Sequence, residues 1–356
     1  MAFLSFPNVR IAGISAGVPQ KVVNNLELKN VSEDYDAAAF VEATGVQERR
    51  VDDFTTSDLC IAAAEKLIVD LEWDKSEIDG LIFVSQTTDY YLPATACIVQ
   101  NTLGLSKECY AEDVVLGCSG WVYGLSNAVS LVSNGNMKKV LLMAGDAKRH
   151  AEANDPLFGF AGTVTALEYK EGAKEMSFHF GTDGSGFDAI IIPDGGSRNQ
   201  VTEKSFEMEM VDGKQINRLQ TRMKGMDVFS FGISTAPKSV KKLSEHFGLD
   251  YQSYDYFVFH QANMKMNDMI AKKLKLAPEK VPSCMRYFGN TSSASIPLSI
   301  VTQLKGKFET KPTKFICCGF GVGLSWGTVA FETDNIVVSD LVEVDSLEEK
   351  KNGYNL

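Results

Sequence analysis

The sequence predicts a layered α/β protein made of two similar halves, and three observations lead there. Short β-rich runs bounded by turn residues alternate with helical patterns, the mark of buried strands covered by helices. The chain has 356 residues, enough for one large α/β unit or for two halves of roughly 170 residues each. The same local design also occurs twice, a strand ending in a reactive residue at the mouth of a helix. It reads Val115-Leu116-Gly117-Cys118 in the first half and Val258-Phe259-His260 in the second.

In chain order, Ser57–Leu71 reads as a helix and Gly80–Val84 as a strand. Asp113–Leu116 reads as a strand that leads into a helix over Cys118–Asn134. There Trp121, Val122, Leu125, Ala128, Val129 and Val132 recur at helical spacing, which reads as core packing. Strands are expected at Val140–Ala144 and Ala189–Ile192, before a polar, turn-rich connection that starts at Pro193-Asp194-Gly195-Gly196 and stays charged to Lys204. The second half offers a helix at Val228–Phe247, a strand at Tyr256–Phe259, a helix at Met264–Leu274 and a strand at Lys314–Cys317. The halves are expected at 1–195 and 196–333, with 334–356 a polar tail.

Composition narrows the class. Hydrophobic residues at 44% and charged residues at 23% are ordinary for a soluble globular protein. No apolar stretch approaches the roughly 20 residues that span a bilayer. Residues Met1 to Pro7 lack a basic segment followed by a sustained apolar one, so a cytoplasmic location is expected. A net charge of −11 argues against binding nucleic acid or an anionic membrane. Seven cysteines with scattered spacing and no CxxC pair, and four histidines without HExxH, predict neither a disulfide framework nor a metal centre.

The candidate nucleophile is Cys118. A thiol at a strand-to-helix turn sits near unpaired backbone N–H groups and the positive end of a helix dipole, which favour the thiolate. The other cysteines, Cys60, Cys97, Cys109, Cys284, Cys317 and Cys318, read as small hydrophobes. His260 alone would read as a core histidine, and Asn290 after Gly289 as a turn residue. A cysteine followed at long range by His and Asn is nonetheless a nucleophile pattern when the fold brings them together. The glycines from 319 to 323 lack a following Lys-Ser/Thr, so they form no P-loop.

Four strings carry a family resemblance: Gly117-Cys118-Ser119-Gly120, His260-Gln261-Ala262-Asn263, Gly289-Asn290-Thr291-Ser292-Ser293-Ala294-Ser295, and Gly319-Phe320-Gly321-Val322-Gly323-Leu324-Ser325-Trp326-Gly327. In this order they resemble β-ketoacyl-acyl-carrier-protein synthase III and related thiolase-fold condensing enzymes, over nearly the whole chain to about Phe331. The resemblance implies a thiolase-like five-layer α-β-α-β-α sandwich of two duplicated halves, a homodimer, and no cofactor. It implies that Cys118 carries an acyl group and that malonyl-acyl carrier protein is the extender. His260 and Asn290 would steady the enolate left by decarboxylation, and the backbone N–H groups of Cys118 and Val322 would hold the oxyanion. It also makes Leu92 a gate to the partner's acyl pocket, and Lys265 and Lys272, with Lys273 beside them, the docking points for acyl carrier protein.

The chain departs from that family in four places. Where a tryptophan and an arginine grip coenzyme A before a Thr-Gly pair, this chain has Ala39 and Ala43 before Thr44-Gly45. A polar Asn of the pantetheine channel is replaced near Met226, an acidic residue has become Phe160, and an insertion falls between about Glu171 and Glu203. The primer is therefore expected as a carrier-protein thioester. Two other functions remain open, a cysteine-dependent acyltransferase that passes an acyl group to an alcohol or amine without condensation, and a non-catalytic partner subunit.

Overall fold

The computed structural model describes residues 2–28, 31, 35–149, 155–211 and 214–345. Two sheets organise the chain. The first has seven strands, in the order Val337–Val338, Val9–Pro19, Gly162–Tyr169, Lys139–Gly145, Gly80–Val84 and Tyr110–Val114, with Val342–Val344 also paired to Val9–Pro19. The second has five: Ala2–Phe6, Met176–Thr182, Ser325–Thr333, Thr313–Gly321 and Tyr256–Phe259.

Helices Gly120–Val132 and Ser295–Leu304 lie between the sheets and pack against strands of both. Their composition follows from that position. A helix covered on both sides must be apolar or small all round, and the first buries Trp121, Val122, Leu125, Ala128, Val129 and Val132. Each such aliphatic side chain contributes about 1.5–3 kcal/mol on burial. A Cβ on Gly124 would come within 2.5 Å of Val84 Cγ2, so glycine sets the close approach of helix to sheet. The outer layers are helices Thr56–Asp70 and Thr95–Thr102 against the first sheet, and Gly225–Phe247 with Met264–Leu274 beside the second. The result is the thiolase-like five-layer α-β-α-β-α sandwich.

Several sequence expectations shift. The strand expected at Asp113–Leu116 is Tyr110–Val114. The Asp113 carboxylate accepts N–H bonds from Thr95 and Ala96, both 2.7 Å, and so caps the helix that begins there. Only Ile190–Ile191 of the expected 189–192 strand pairs, with Arg222–Met223 and outside both main sheets. Inside the insertion, Met176–Thr182 is a strand of the five-stranded sheet, paired to Ala2–Phe6 and Ser325–Thr333. Beyond it, buried Asp194 accepts from Arg218 at 2.8 and 2.9 Å and from Ser205 at 2.9 Å, which ties the irregular segment together.

The expected division at 195/196 falls in an irregular stretch, and strand pairing crosses it in both directions. Residues 334–345 are not a tail: Val337–Val338 and Val342–Val344 run parallel to Val9–Pro19 in the first sheet. The remainder, 346–356, and His150 lie outside the described residues. Among the described residues no helix is long and apolar enough to cross a membrane.

Candidate active site

Cys118 sits two residues before the first turn of Gly120–Val132, where Gly120 N–H donates to the Gly117 carbonyl at 2.6 Å. The end of the Thr313–Gly321 strand forms the opposite wall. A Cβ on Gly321, whose φ is +158°, would lie 2.6 Å from Cys118 Cβ and 2.8 Å from Sγ, and one on Gly319 would lie 2.9 Å from the Cys118 carbonyl oxygen. Only glycine lets this strand reach the nucleophile turn. Val322 follows, and its backbone N–H, like that of Cys118 itself, favours the thiolate of Cys118. Ser325 Oγ holds that turn, donating to the Val322 carbonyl at 2.8 Å and accepting from Ser119 Oγ at 2.7 Å.

These donors do not make Cys118 a resting thiolate. Burial pushes its thiol up to about 11, ahead of the lowering by the Val322 N–H, and the Asp146 charge adds to the rise. The helix-terminus argument from sequence is outweighed by desolvation, the largest cause when a charge loses its water.

His260 continues Tyr256–Phe259, and its ring faces Phe320 edge-on with centroids 5.7 Å apart. Ser295 Oγ lies 2.8 Å from Nδ1 and accepts the Gln261 N–H at 3.2 Å. In the tautomer with the ring proton on Nε2, the Ser295 hydroxyl donates to Nδ1. Burial holds the imidazole down at about 3, so it is neutral throughout the physiological range.

Asn290 is pinned by its backbone, its N–H to Leu157 O at 2.9 Å and its carbonyl to the Gly159 N–H at 3.1 Å. Its Oδ1 accepts the Ser292 N–H at 2.9 Å, which leaves the NH2 as a donor. The Phe158 to Gly162 string therefore positions Asn290, and a Cβ on Gly159 would lie 2.0 Å from the Phe288 carbonyl. Phe160, where the family is acidic, is buried with Val51, Phe54, Leu59 and Ala147 and is a packing residue.

Ser292 lies among these groups. It sits at φ +49° and gives its N–H to Asn290 Oδ1 at 2.9 Å, and its hydroxyl favours the charged forms of Cys118 and Asp146. Of the residues expected from sequence, Cys118 lies against the 319–322 stretch, His260 faces Phe320 of that stretch, and Asn290 accepts the Ser292 N–H. Sequence reasoning missed Asp146, Ser292 and Ser295, for which the only signal was position, next to a strand end or within the Asn290 string. The other expected residues stand apart. Leu92 is 81% exposed, after Tyr91 at 90%, and Lys265 and Lys272 are exposed on one helix. A cleft of about 490 Å³ in the segment after Met176–Thr182, lined by residues including Asp194, Lys204, Glu209 and Arg218, holds none of the expected site residues.

Comparison with known proteins agrees with this geometry. Residues 112–184 match the model of 3-oxoacyl-[acyl-carrier-protein (ACP)] synthase III, and residues 244–333 match the model of its C-terminal part. A Bacillus pumilus protein named beta-ketoacyl-[acyl-carrier-protein] synthase III is 31% identical over 331 residues, covering 91% of this chain and 98% of its own length. The chain belongs to the 3-oxoacyl-[acyl-carrier-protein] synthase III family. A solved 3-oxoacyl-(acyl-carrier protein) synthase from Burkholderia xenovorans LB400 is 38% identical, with a TM-score of 0.87 over 96% of this chain and 99% of the other. One from Pseudomonas aeruginosa PAO1 is 28% identical, with a TM-score of 0.78 over 93% of this chain and 99% of the other. As a synthase III member the chain is a condensing enzyme, and its Cys118, His260 and Asn290 strings all fall inside the two matched regions.

Proposed function

We propose that this synthase joins an acyl primer to malonyl-acyl carrier protein by decarboxylative Claisen condensation, in the cytoplasm and as a homodimer. Cys118 Sγ attacks the primer thioester, the carrier thiol leaves, and the acyl group rests on the sulfur. The N–H groups of Cys118 and Val322 take the oxyanion of that step, each worth about 2.7–4 kcal/mol. Malonyl thioester then loses carbon dioxide. The resulting enolate oxygen takes the Nε2–H of His260 and the NH2 of Asn290, and its carbon attacks acyl-Cys118 to release a 3-oxoacyl thioester. The enzyme is thus an acyltransferase as well as a condensing synthase.

One observation carries the reading. Burial keeps the His260 ring uncharged and Ser295 Oγ occupies Nδ1, so Nε2 is the nitrogen that serves as a neutral donor to an enolate oxygen. Acyl carrier protein, an acidic partner, docks by steering on Lys265 and Lys272, seven residues apart and both exposed on one helix. The primer comes on the same carrier. Ala39 and Ala43, one turn apart and both exposed, present no ring or guanidinium to a nucleotide. Leu92, exposed in the single chain, closes the acyl pocket of the second subunit.

The test is a malonyl-dependent assay with acyl-carrier-protein and coenzyme A primers, alongside Cys118→Ala and His260→Ala. Cys118→Ala should abolish acylation. His260→Ala should still acylate and fail to condense, and normal condensation by that variant would overturn its role. Ready acylation from acetyl-coenzyme A and from no carrier-protein thioester would overturn the primer assignment.

A further inference from the structure

We propose that the pocket between helix Gly225–Phe247 and the five-stranded sheet is a binding site for a phosphate group, free or carried on a monoester, held by Lys238 and Lys242. It shares no residue with the Cys118 site and does not depend on the condensing reaction.

The pocket encloses about 200 Å³ and is lined by His179, Thr235, Lys238, Ser239, Lys242 and Trp326. Four of these come from one helix at positions i, i+3, i+4 and i+7, which share a face. The strands Met176–Thr182 and Ser325–Thr333 supply His179 and Trp326. Buried His179 and Ser239 are already tied into the sheet. His179 Nδ1 and Ser239 Oγ lie 2.8 Å apart, Ser239 Oγ and Thr328 Oγ1 lie 2.6 Å apart, and Thr328 donates to Cys318 Sγ at 3.2 Å. Trp326 is fixed as well. A Cβ on Gly181 would come within 2.0 Å of the indole, so glycine makes room for it, and Phe231 packs on it with ring centroids 5.9 Å apart.

Charge is where this pocket is unbalanced. No carboxylate lines it, and among the described residues neither Lys238 nor Lys242 pairs with an acid. Glu245, the next acid along the helix, is exposed and outside the lining. Phe3 stacks on His179 and on His246, with centroids 4.8 and 3.9 Å away. The charges that act on His179, Lys242 and His246 among them, are all positive, and with burial they hold its ring neutral at about 4. In a chain of net charge −11, a pocket of this sign attracts anions by its local field.

Size and charge together choose the ligand. The volume is below the roughly 300–1,000 Å³ of pockets for drug-sized molecules, so the pocket takes a small group and not a whole nucleotide. Two ammonium groups with three donors each suit a group that carries about −1.5 to −2 near neutral pH and presents several acceptor oxygens. A phosphate meets both conditions, and a single carboxylate meets neither. Thr235 adds a hydroxyl on the same helix face.

Titration calorimetry on the full chain, at constant ionic strength, tests the site with inorganic phosphate, phenyl phosphate and acetate. The variants are Lys238→Gln, Lys242→Gln and, as a control of equal charge, Lys241→Gln, which lies on the same helix outside the lining. All three lysines are exposed, so these changes leave the core intact. Wild type should bind phosphate saturably, about 10-fold or more weakly in either pocket variant, and within about 2-fold of wild type in Lys241→Gln. Phosphate should also raise the thermal midpoint of wild type and Lys241→Gln more than that of the pocket variants. Tighter binding of phenyl phosphate would assign the pocket to a monoester, and tighter binding of inorganic phosphate to the free ion, both in support. Absence of saturable phosphate binding, acetate binding as tightly as phosphate, or equal losses in all three variants would overturn the site.

Discussion

Gly321→Ala tests how closely the two halves must meet to place the nucleophile. The new methyl would stand 2.6 Å from Cys118 Cβ and 2.8 Å from Sγ, whereas carbon atoms in contact prefer about 3.5–4.0 Å. One side must give by roughly 1 Å, and neither is free: Gly321 ends a strand paired through Thr313–Gly321, and Cys118 precedes a helix buried on both faces. Overpacking of this kind costs about 1–3 kcal/mol of stability, and misplacement of a nucleophile by about 1 Å costs up to about 10²-fold in rate. Single-turnover acylation, with thermal unfolding of the same sample, should show both losses. Gly184→Ala is the control, since a Cβ there meets nothing within 4 Å. A Gly321→Ala protein that acylates at the wild-type rate would falsify the claim that this strand end fixes the sulfur.

Charge reversal at Lys265 and Lys272 should lower kcat/KM for carrier-protein thioesters by about 10-fold or more at low salt, fading as salt rises, while small thioesters react unchanged. Equal losses on both substrates would mean that the lysines act on the site and not on docking. With His260 held at about 3, condensation should show no imidazole inflection across neutral pH. His260 and His179, held at about 3 and about 4, lie below the ordinary 6.5. The unfolded chain therefore takes up protons between those values that the folded one refuses, so stability is full above 6.5 and falls as pH drops below it. Urea midpoints compared between about pH 7.5 and about pH 5 measure this, and no difference between His179→Gln and wild type would count against His179's share. Restoring the family's acid by Phe160→Asp should cost at least about 3–5 kcal/mol, from the lost aromatic and the buried charge, read as a drop in the unfolding midpoint.

The sequence by itself determined the fold class and singled out the candidate reactive residues. Strand and helix periodicities are local, so Gly80–Val84, Tyr256–Phe259 and Met264–Leu274 were legible from side-chain spacing. Cys118, His260 and Asn290 stood out because each lies in a distinctive string. The central helix Ser295–Leu304 and the strands Val9–Pro19 and Ser325–Thr333 were not picked out, because elements buried on both faces lose the polar alternation that marks them. Only the tertiary structure decided that Ala2–Phe6 and Met176–Thr182 join the second sheet and that Val337–Val344 returns to the first. It alone also decided the surroundings of the candidate nucleophile. From the sequence Cys118 is a thiol at a helix mouth, where a dipole favours ionisation. In the fold it is a half-buried thiol near the half-buried Asp146 carboxylate, and desolvation raises its pKa because it depends on what packs around the sulfur, most of it distant in the chain.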